Sequence, residues 1–171
     1  WINGVKQFGF LILSVYVLFN AMWGLNYNRR GVAYQLGLKV ERYSKEDLVQ
    51  LMEVVVERLN SLDSVAHLNR QAPDSKRHLF EGAVTAYEQL AVHDATFKYA
   101  FRSVKPSLYS YLGNYLGYTG YYNRFSGEAQ VNTTVPLFVQ PFTTCHEIGH
   151  QLGYAKENEA NFAGYLSAKT S

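Results

Sequence analysis

Two histidines four residues apart carry the strongest chemical signal in the sequence. His146 and His150 enclose Glu147 in the pentapeptide His-Glu-Ile-Gly-His. On an α-helix, side chains at positions i and i+4 share one face, so both imidazoles can bind one metal ion. A carboxylate between them can take a proton from water bound to that ion. The pattern therefore indicates a hydrolytic metal site with Glu147 as its general base.

The segment after this motif predicts a third ligand. Gly153 suits a left-handed turn at the end of the first helix, and a second helix is expected from Glu157 onwards. Glu157 and Asn161 share a face with the small residues Ala160 and Gly164, so the second helix can approach the first closely. Two imidazole nitrogens, one carboxylate oxygen and a water molecule form the usual catalytic zinc set.

These residues resemble the motifs of the zincin metallopeptidases. In the gluzincin group of zincins, a Glu on a later helix supplies the third ligand and commonly opens an E-x-x-A-D or E-x-x-A-N pattern, which matches the sequence ENEAN here. The resemblance implies that His146, His150 and Glu157 bind Zn²⁺ and that Asn161 steadies one of these ligands by a hydrogen bond. It also implies zinc-dependent hydrolysis of a peptide or protein substrate.

A longer stretch of the chain is similar to a narrower family. It consists of YTGYYN at 118–123, GEAQVN at 127–132 and PFTTC at 141–145, followed directly by the histidines. This stretch resembles a bacterial family of membrane-anchored proteins with a zinc peptidase pattern, the domain of unknown function 3810. The resemblance extends from about Trp23 to the C-terminus and is most specific after Tyr118. The family name carries no established substrate.

Neighbouring residues offer two other arrangements for the third ligand. Glu159 is the rival of Glu157, although it lies about 200° further round the helix. In the metzincin pattern HExxHxxGxxH, the third ligand would stand at Lys156, and a lysine at neutral pH has no lone pair to donate. We therefore expect Glu157 to bind the metal and keep Glu159 as the alternative.

Other reactive side chains are expected to have structural roles. Cys145, the single cysteine, should face the packed side of the helix, about 100° from His146. The histidines at positions 67, 78 and 93 lack the spacing of paired ligands. Zincins often use a Tyr or His to stabilise the oxyanion of the transition state. The sequence offers four tyrosines near the motif for this task without selecting one: Tyr118, Tyr121, Tyr122 and Tyr154.

The N-terminal segment has a different character. Residues 8–25, FGFLILSVYVLFNAMWGL, are almost wholly apolar and long enough to cross a bilayer as a helix. Trp23 and Tyr27 suit the membrane interface, whereas a buried core helix or a docking helix is the alternative. We expect a transmembrane anchor at 1–28 and a metallopeptidase domain at 29–171. The chain begins at Trp1, which predicts that it is a fragment of a longer protein.

The side of the membrane is predicted from two opposing arguments. One positive charge, Lys6, precedes the apolar run and four follow it, so a local count would place the second domain inside the cell. The family resemblance implies further spans and a basic loop upstream, which reverses the orientation. We follow the resemblance and expect the domain outside the bacterial cytoplasmic membrane. The four charges that follow the run are Arg29, Arg30, Lys39 and Arg42.

Composition and periodicity complete the expected architecture. A chain of 171 residues with 47% hydrophobic side chains can form one core, and a net charge of +2 without a basic stripe argues against nucleic acid as a partner. Ser44 should cap a helix that ends before a loop at 60–75, and a second long helix should run from Lys76 to about Arg102. Apolar stripes at helical spacing should face the core: Leu48, Leu51, Met52, Val55, Leu59 and Leu62 on the first helix, and Leu79, Val84, Tyr87, Leu90, Phe97 and Phe101 on the second.

Short strands are expected between positions 105 and 140, where the helical period disappears. Residues 128–132 alternate polar with apolar side chains. In zincins an edge strand just upstream of the metal helix pairs with an extended substrate, so we predict substrate contacts at Gln130, Val131 and Asn132. The metal helix should run from Thr143 to Leu152.

The predicted fold class is α+β and zincin-like. It is mainly helical, with a small mixed sheet beside the metal helix and an N-terminal transmembrane helix in front. The alternative function is a catalytically silent, zinc-stabilised module that binds or assembles partners while tethered to the membrane through residues 8–25.

Overall fold

The computed structural model describes the backbone of residues 2–68 and 75–170, and the side chains of residues 3–63 and 75–170. The described chain is mainly helical with one small mixed sheet and an apolar N-terminal helix, as predicted. Its elements are α1 (Ile2–Met22), a 3₁₀ turn (Gly24–Asn28), α2 (Val32–Gln35), α3 (Lys45–Leu68), α4 (Lys76–His93), a 3₁₀ turn (Ala95–Phe97), β1 (Val104–Pro106), α5 (Ser110–Leu116), β2 (Gly120–Asn123), β3 (Glu128–Val131), α6 (Gln140–Gln151) and α7 (Glu157–Thr170).

The core lies where α4, α6 and α7 meet. Tyr87 of α4 is fully buried, and its hydroxyl donates a hydrogen bond to the carbonyl oxygen of Cys145 at 2.8 Å. Cys145 is itself buried and free, as the sequence predicts. Ile148 and Ala163 fill the space between the helices and are fully buried. These contacts pack the helix that carries the histidines against its two neighbours.

Glycines allow α6 and α7 to form a tight hairpin. A Cβ atom at Gly164 would lie 3.0 Å from the backbone nitrogen of His146, and one at Gly149 would lie 3.2 Å from the carbonyl oxygen of Ala160. Between the helices, Gly153 has a φ of +92°, the left-handed conformation predicted for it. Arg29 donates a hydrogen bond at 2.7 Å to the carbonyl oxygen of Leu152, which closes the end of α6.

The sheet has the strand order β1-β3-β2. Strand β3 is therefore central: it pairs in parallel with β1 and antiparallel with β2. The prediction that Gln130, Val131 and Asn132 bind a substrate strand is wrong, because the main chain of β3 is already paired on both sides. Val131 and Asn132 are also fully buried. Among the described strands, the edge strand next to α6 is β2.

Asn132 holds a helix that the sequence did not predict. Its side-chain nitrogen donates to the carbonyl oxygen of Ser110 at 3.0 Å and to the side-chain oxygen of Asn114 at 2.8 Å, both in α5. The short helix ends at Gly117, which has a φ of +76°. The metal helix was expected from Thr143, but α6 begins three residues earlier at Gln140, with Pro141 in its first turn.

Helix α4 ends at His93 rather than near Arg102. Asp94 has an extended backbone, and its carboxylate accepts a hydrogen bond from the amide of Thr96 at 2.8 Å, which starts a 3₁₀ turn instead of another helical turn. Phe97 is buried from that turn, as its place in the predicted stripe requires. Phe101, predicted to face the core, is 91% exposed because it lies beyond the helix.

Helix α3 begins as predicted but does not join the core. The side chain of Ser44 accepts from the amide of Asp47 at 3.1 Å, while the Asp47 carboxylate accepts from the amide of Ser44 at 2.8 Å, a reciprocal capping arrangement. The helix continues to Leu68, so the predicted loop at 60–75 is wrong up to that point, and 69–74 lie outside the described residues. All six residues of its predicted core stripe are exposed: Leu48, Leu51, Met52, Val55, Leu59 and Leu62.

Helix α1 is long and apolar enough to cross a membrane, over Asn3–Met22, and none of its apolar window is buried. It is therefore not a core helix of the described chain, and its length and composition suit a membrane anchor or a signal sequence. The helix predicted over residues 8–25 was placed too far along the chain at its C-terminal end, because α1 ends at Met22. Trp23, predicted for the membrane interface, turns away from the helix and is 2% exposed.

Candidate metal centre

Two imidazoles and one carboxylate converge between α6 and α7. The Nε2 atom of His146 is 3.3 Å from Oε2 of Glu157, and that of His150 is 3.5 Å from Oε1. The two rings are nearly perpendicular, with centroids 4.8 Å apart. Glu147 belongs to the same cluster, since ligand-type atoms of His146, Glu147 and His150 lie within 4.8 Å of one another. The cluster could hold a metal ion.

The second nitrogens of the two imidazoles have different surroundings. Nδ1 of His150 is 2.7 Å from the carbonyl oxygen of Tyr154, so Nδ1 carries the proton and donates it, which leaves the lone pair of Nε2 free. Nδ1 of His146 is buried and has no hydrogen-bond partner. Burial and the neighbouring His150 lower the pKa of His146, whereas Glu157 and Asn161 act in the opposite direction. The lowered pKa favours the neutral form of His146, which is the form that binds metals.

Glu147 is a buried carboxylate with one oxygen that receives no hydrogen bond. Its side chain faces the cavity, the residue is 4% exposed, and its Oε2 atom has no hydrogen-bond partner. Burial, and then the charge of Glu157, raise the pKa of Glu147 to about 8, although Arg124 lowers it. A carboxylate in such surroundings gains stability from a nearby cation or from a proton that it can exchange. This is the behaviour expected of a general base.

The two candidate glutamates of α7 occupy different surroundings. Glu157 lines the cavity with both histidines. Glu159 packs against Gly31, where a Cβ atom would collide with its carboxylate, and its nearest cation is Lys156 at 3.5 Å. Glu159 does not line the cavity. The arrangement therefore favours Glu157 over Glu159 as a ligand, and Asn161 lines the same cavity one helical turn further along.

A cavity of about 580 Å³ opens in front of the cluster. Strand β2 forms one wall, and a Cβ atom at Gly120 would lie 2.7 Å from Oε1 of Glu147. The carbonyl oxygen of Thr119 accepts from the amide of Asn132 at 2.8 Å. Since antiparallel pairs alternate, the main-chain groups of Gly120 and Tyr122 point away from β3, towards the free edge. An extended chain could pair there.

Three of the four candidate tyrosines line this cavity: Tyr118, Tyr121 and Tyr122. The fourth, Tyr154, is buried elsewhere, and its hydroxyl donates to the side chain of Gln35 at 2.9 Å, so it cannot serve as an oxyanion donor. The hydroxyl of Tyr121 donates to Gln130 at 2.6 Å. Neither His78 nor His93 lines the cavity, and the side chain of His67 lies outside the described residues.

Two residues of the site were missed by the sequence analysis. The ring of Trp23 lies 4.6 Å from that of Tyr122 and 6.3 Å from that of His150, between centroids. The guanidinium of Arg124 stands 5.8 Å from the centre of the Trp23 ring, and Arg124 lines the cavity. The position of Arg124, directly after the YTGYYN motif, was the one available signal. Trp23 gave none, because its apolar neighbours assigned it to the membrane helix.

The comparison with known families confirms the resemblance to the domain of unknown function 3810. A family model described as a protein of unknown function, DUF3810, matches residues 1–171. The chain belongs to the DUF3810 family. No curated protein matches this DUF3810 chain, and no solved structure does either.

Proposed function

We propose that this DUF3810 chain is a zincin-like, membrane-anchored zinc peptidase. The observation that carries the proposal is the convergence of His146, His150 and Glu157 beside the buried, unpartnered carboxylate of Glu147. An ordinary structural cluster would satisfy its buried polar atoms internally. Here two buried atoms, Nδ1 of His146 and Oε2 of Glu147, lack partners.

The distances within the cluster suit zinc. Ligand atoms about 2.0–2.1 Å from a tetrahedral zinc ion are separated from one another by about 3.3–3.4 Å. The two nitrogen-to-oxygen distances are 3.3 Å and 3.5 Å, close to such edges. A set of two imidazoles and one carboxylate leaves a position for water, as catalytic zinc sites require.

The proposed chemistry assigns one task to each residue. Bound zinc would polarise a peptide carbonyl and lower the pKa of a water molecule to about 7. Glu147 takes the proton of the attacking water and returns it to the leaving amine. The carbonyl oxygen of Tyr154 holds the imidazole of His150 in orientation. Asn161 lines the cavity beside His146 and would steady that ligand by a hydrogen bond. Tyr118 and Tyr122 are the remaining candidates to stabilise the oxyanion.

The free edge of β2 supports a peptide as substrate. An extended peptide can add to an exposed strand through main-chain hydrogen bonds, which places its carbonyls at fixed intervals along the edge. Gly120 brings that edge into contact with Glu147, because any larger residue would collide with the carboxylate. A peptide paired with β2 would thus pass close to the general base.

The apolar helix α1 supports anchoring in a bilayer. The charge count alone favours the cytoplasmic side, whereas the family resemblance favours the outside of the bacterial cytoplasmic membrane, and we propose the latter. Because Trp23 follows α1 directly and packs beside His150, the proposed metal centre lies close to the end of the anchor. Substrates would be cleaved near the membrane surface.

The proposal is tested by digestion of an unbiased peptide library with purified, zinc-loaded protein. The parent should cleave peptides, and Glu147→Gln should retain zinc while the rate falls by about 10²–10⁴-fold, the usual contribution of general acid-base help. Cleavage that survives in Glu147→Gln would contradict the assignment. Stoichiometric zinc without any cleavage by the parent would favour the alternative, a silent zinc-stabilised binding or assembly module.

A further inference from the structure

Arg124 brings a positive charge to the cavity that the proposed hydrolysis does not use. Among the described residues that line the cavity, Arg124 is the one arginine or lysine. It follows β2 directly, so it stands at the end of the strand that forms the cavity wall. Arg124 lines the same cavity as Glu147 and both histidines.

The guanidinium of Arg124 is held in place but not neutralised. The ring of Trp23 lies beneath it at 5.8 Å, and Trp23 is itself packed between Tyr122 and His150. The Nε atom is buried and has no hydrogen-bond acceptor, and no carboxylate of the described chain forms an ion pair with the side chain. A partly buried arginine usually has such a partner, because leaving its donors unpaired costs free energy.

These observations describe a preformed receptor for an anion. The planar guanidinium matches a carboxylate with two parallel hydrogen bonds, and an aromatic ring beneath it fixes the plane of the fork. A peptide that lies along the free edge of β2 would bring its end or a side chain to Arg124. The positive charge repels a free amino terminus and attracts a carboxylate.

We infer that Arg124 binds a carboxylate group of the peptide substrate and thereby determines specificity. The inference rests on the proposed peptidase function. The carboxylate has two possible sources, the free C-terminus of the peptide or an acidic side chain within it. The first source makes the protein a carboxypeptidase in its preference, and the second makes it selective for acidic sequences.

The test measures binding rather than cleavage, on zinc-loaded Glu147→Gln protein, which should cleave the probes about 10²–10⁴-fold more slowly than the parent. Three probes are compared by calorimetry: acetyl-Ala-Ala-Phe with a free C-terminus, its C-terminal amide, and the amide acetyl-Ala-Glu-Phe-NH₂. At least one of the two acids should bind about 10–100-fold more tightly than the neutral amide, the range of a charge-assisted hydrogen bond. The acid that gains the preference identifies the source of the carboxylate.

The same measurement is repeated after substitution. Arg124→Gln should abolish the preference for the acid, and Arg124→Lys should restore part of it, because lysine keeps the charge without the fork. Arg77→Gln is the matched control, since Arg77 is an exposed arginine of α4 paired with Glu81. Its preference should equal that of the parent.

The inference is overturned if the protein with Arg124 intact binds all three probes equally or binds none of them. It is also overturned if Arg124→Gln leaves the preference for the acid unchanged. If Arg124→Gln unfolds, Arg124→Lys decides, because its preference must be weaker than that of the parent. Failure of the peptidase proposal is separate. It would show as absent cleavage by the zinc-loaded parent while the carboxylate preference persists.

Discussion

Gly120 faces Glu147 across the wall of the cavity, with no room for a side chain between them. A Cβ atom at Gly120 would lie 2.7 Å from Oε1 and 2.9 Å from Cγ of Glu147, and 2.9 Å from Cγ2 of Thr143. The free edge strand and the proposed general base therefore meet without an intervening side chain. A side chain at position 120 would displace the carboxylate of Glu147 or the side chain of Thr143.

Replacement of Gly120 by Ala should reduce hydrolysis while zinc stays bound. The added methyl group displaces the carboxylate of Glu147, and a misplacement of about 1 Å can cost about 10²-fold in rate. Gly82→Ala in α4 is the control, because nothing lies within 4 Å of its Cβ position. That variant should keep full activity and gain about 0.5–1 kcal/mol of stability from the better helix former. Equal rates of hydrolysis for Gly120→Ala and the parent would contradict the claim that a side chain at position 120 displaces the general base.

The pKa of Glu147 predicts how the stability of the metal-free protein depends on pH. Because the folded-state pKa is about 8 and the ordinary value is 4.5, the folded protein holds the proton more tightly than the unfolded chain. The contribution of Glu147 is fully present below about pH 4.5, falls as pH rises, and is lost above about pH 8. Thermal unfolding of the parent and of Glu147→Gln should therefore diverge between about pH 5 and pH 8, with the parent losing stability relative to the variant.

Zinc should remove this pH dependence, because a bound cation stabilises the ionised carboxylate. The parent and Glu147→Gln should then show parallel melting profiles when both are saturated with zinc. A difference between them that is constant with pH in the metal-free state would mean that Glu147 does not titrate in this range.

How much of the fold could be predicted from the sequence depends on how far apart the contacting residues lie along the chain. His146, His150 and Glu157 lie within twelve positions. Helical periodicity placed the two histidines on one face, and the turn expected at Gly153 together with the gluzincin-like pattern of ENEAN predicted that Glu157 would join them. The pairing of β1 with β3 joins segments more than twenty residues apart, in an order that no local pattern encodes. The substrate strand was therefore assigned to β3, whereas the free edge belongs to β2.

The pattern of apolar residues also gave a wrong prediction for α3, whose apolar face is not covered by any part of the described chain. Leu51, Met52 and Leu59 of α3 have the period of a core stripe, yet they are exposed. Periodicity identifies an amphipathic face and does not say what covers it. Trp23 is the reverse case: it continues the apolar run of α1, but its ring joins the site through Tyr122 and His150.

The anchor is tested by membrane fractionation. Since the apolar window of α1 is not buried, the parent should sediment with membranes and resist extraction by carbonate. A variant without residues 2–22 keeps Trp23 and should lose this resistance while it retains zinc. Release of the parent by carbonate would rule out a spanning helix. Protease added to sealed cells should digest the domain after α1, and full protection of that domain would contradict the outside orientation.

The most direct test of the account is the zinc content of purified protein. The parent should hold about one zinc per chain, and His146→Ala and His150→Ala should each lose it, because two nitrogen ligands have no replacement nearby. Glu157→Ala should weaken zinc binding strongly, whereas Glu159→Ala should keep the parent's zinc, since Glu159 packs against Gly31 rather than towards the histidines. Full zinc occupancy in both histidine variants would contradict the metal centre, and zinc lost from Glu159→Ala but kept in Glu157→Ala would reverse the assignment of the third ligand.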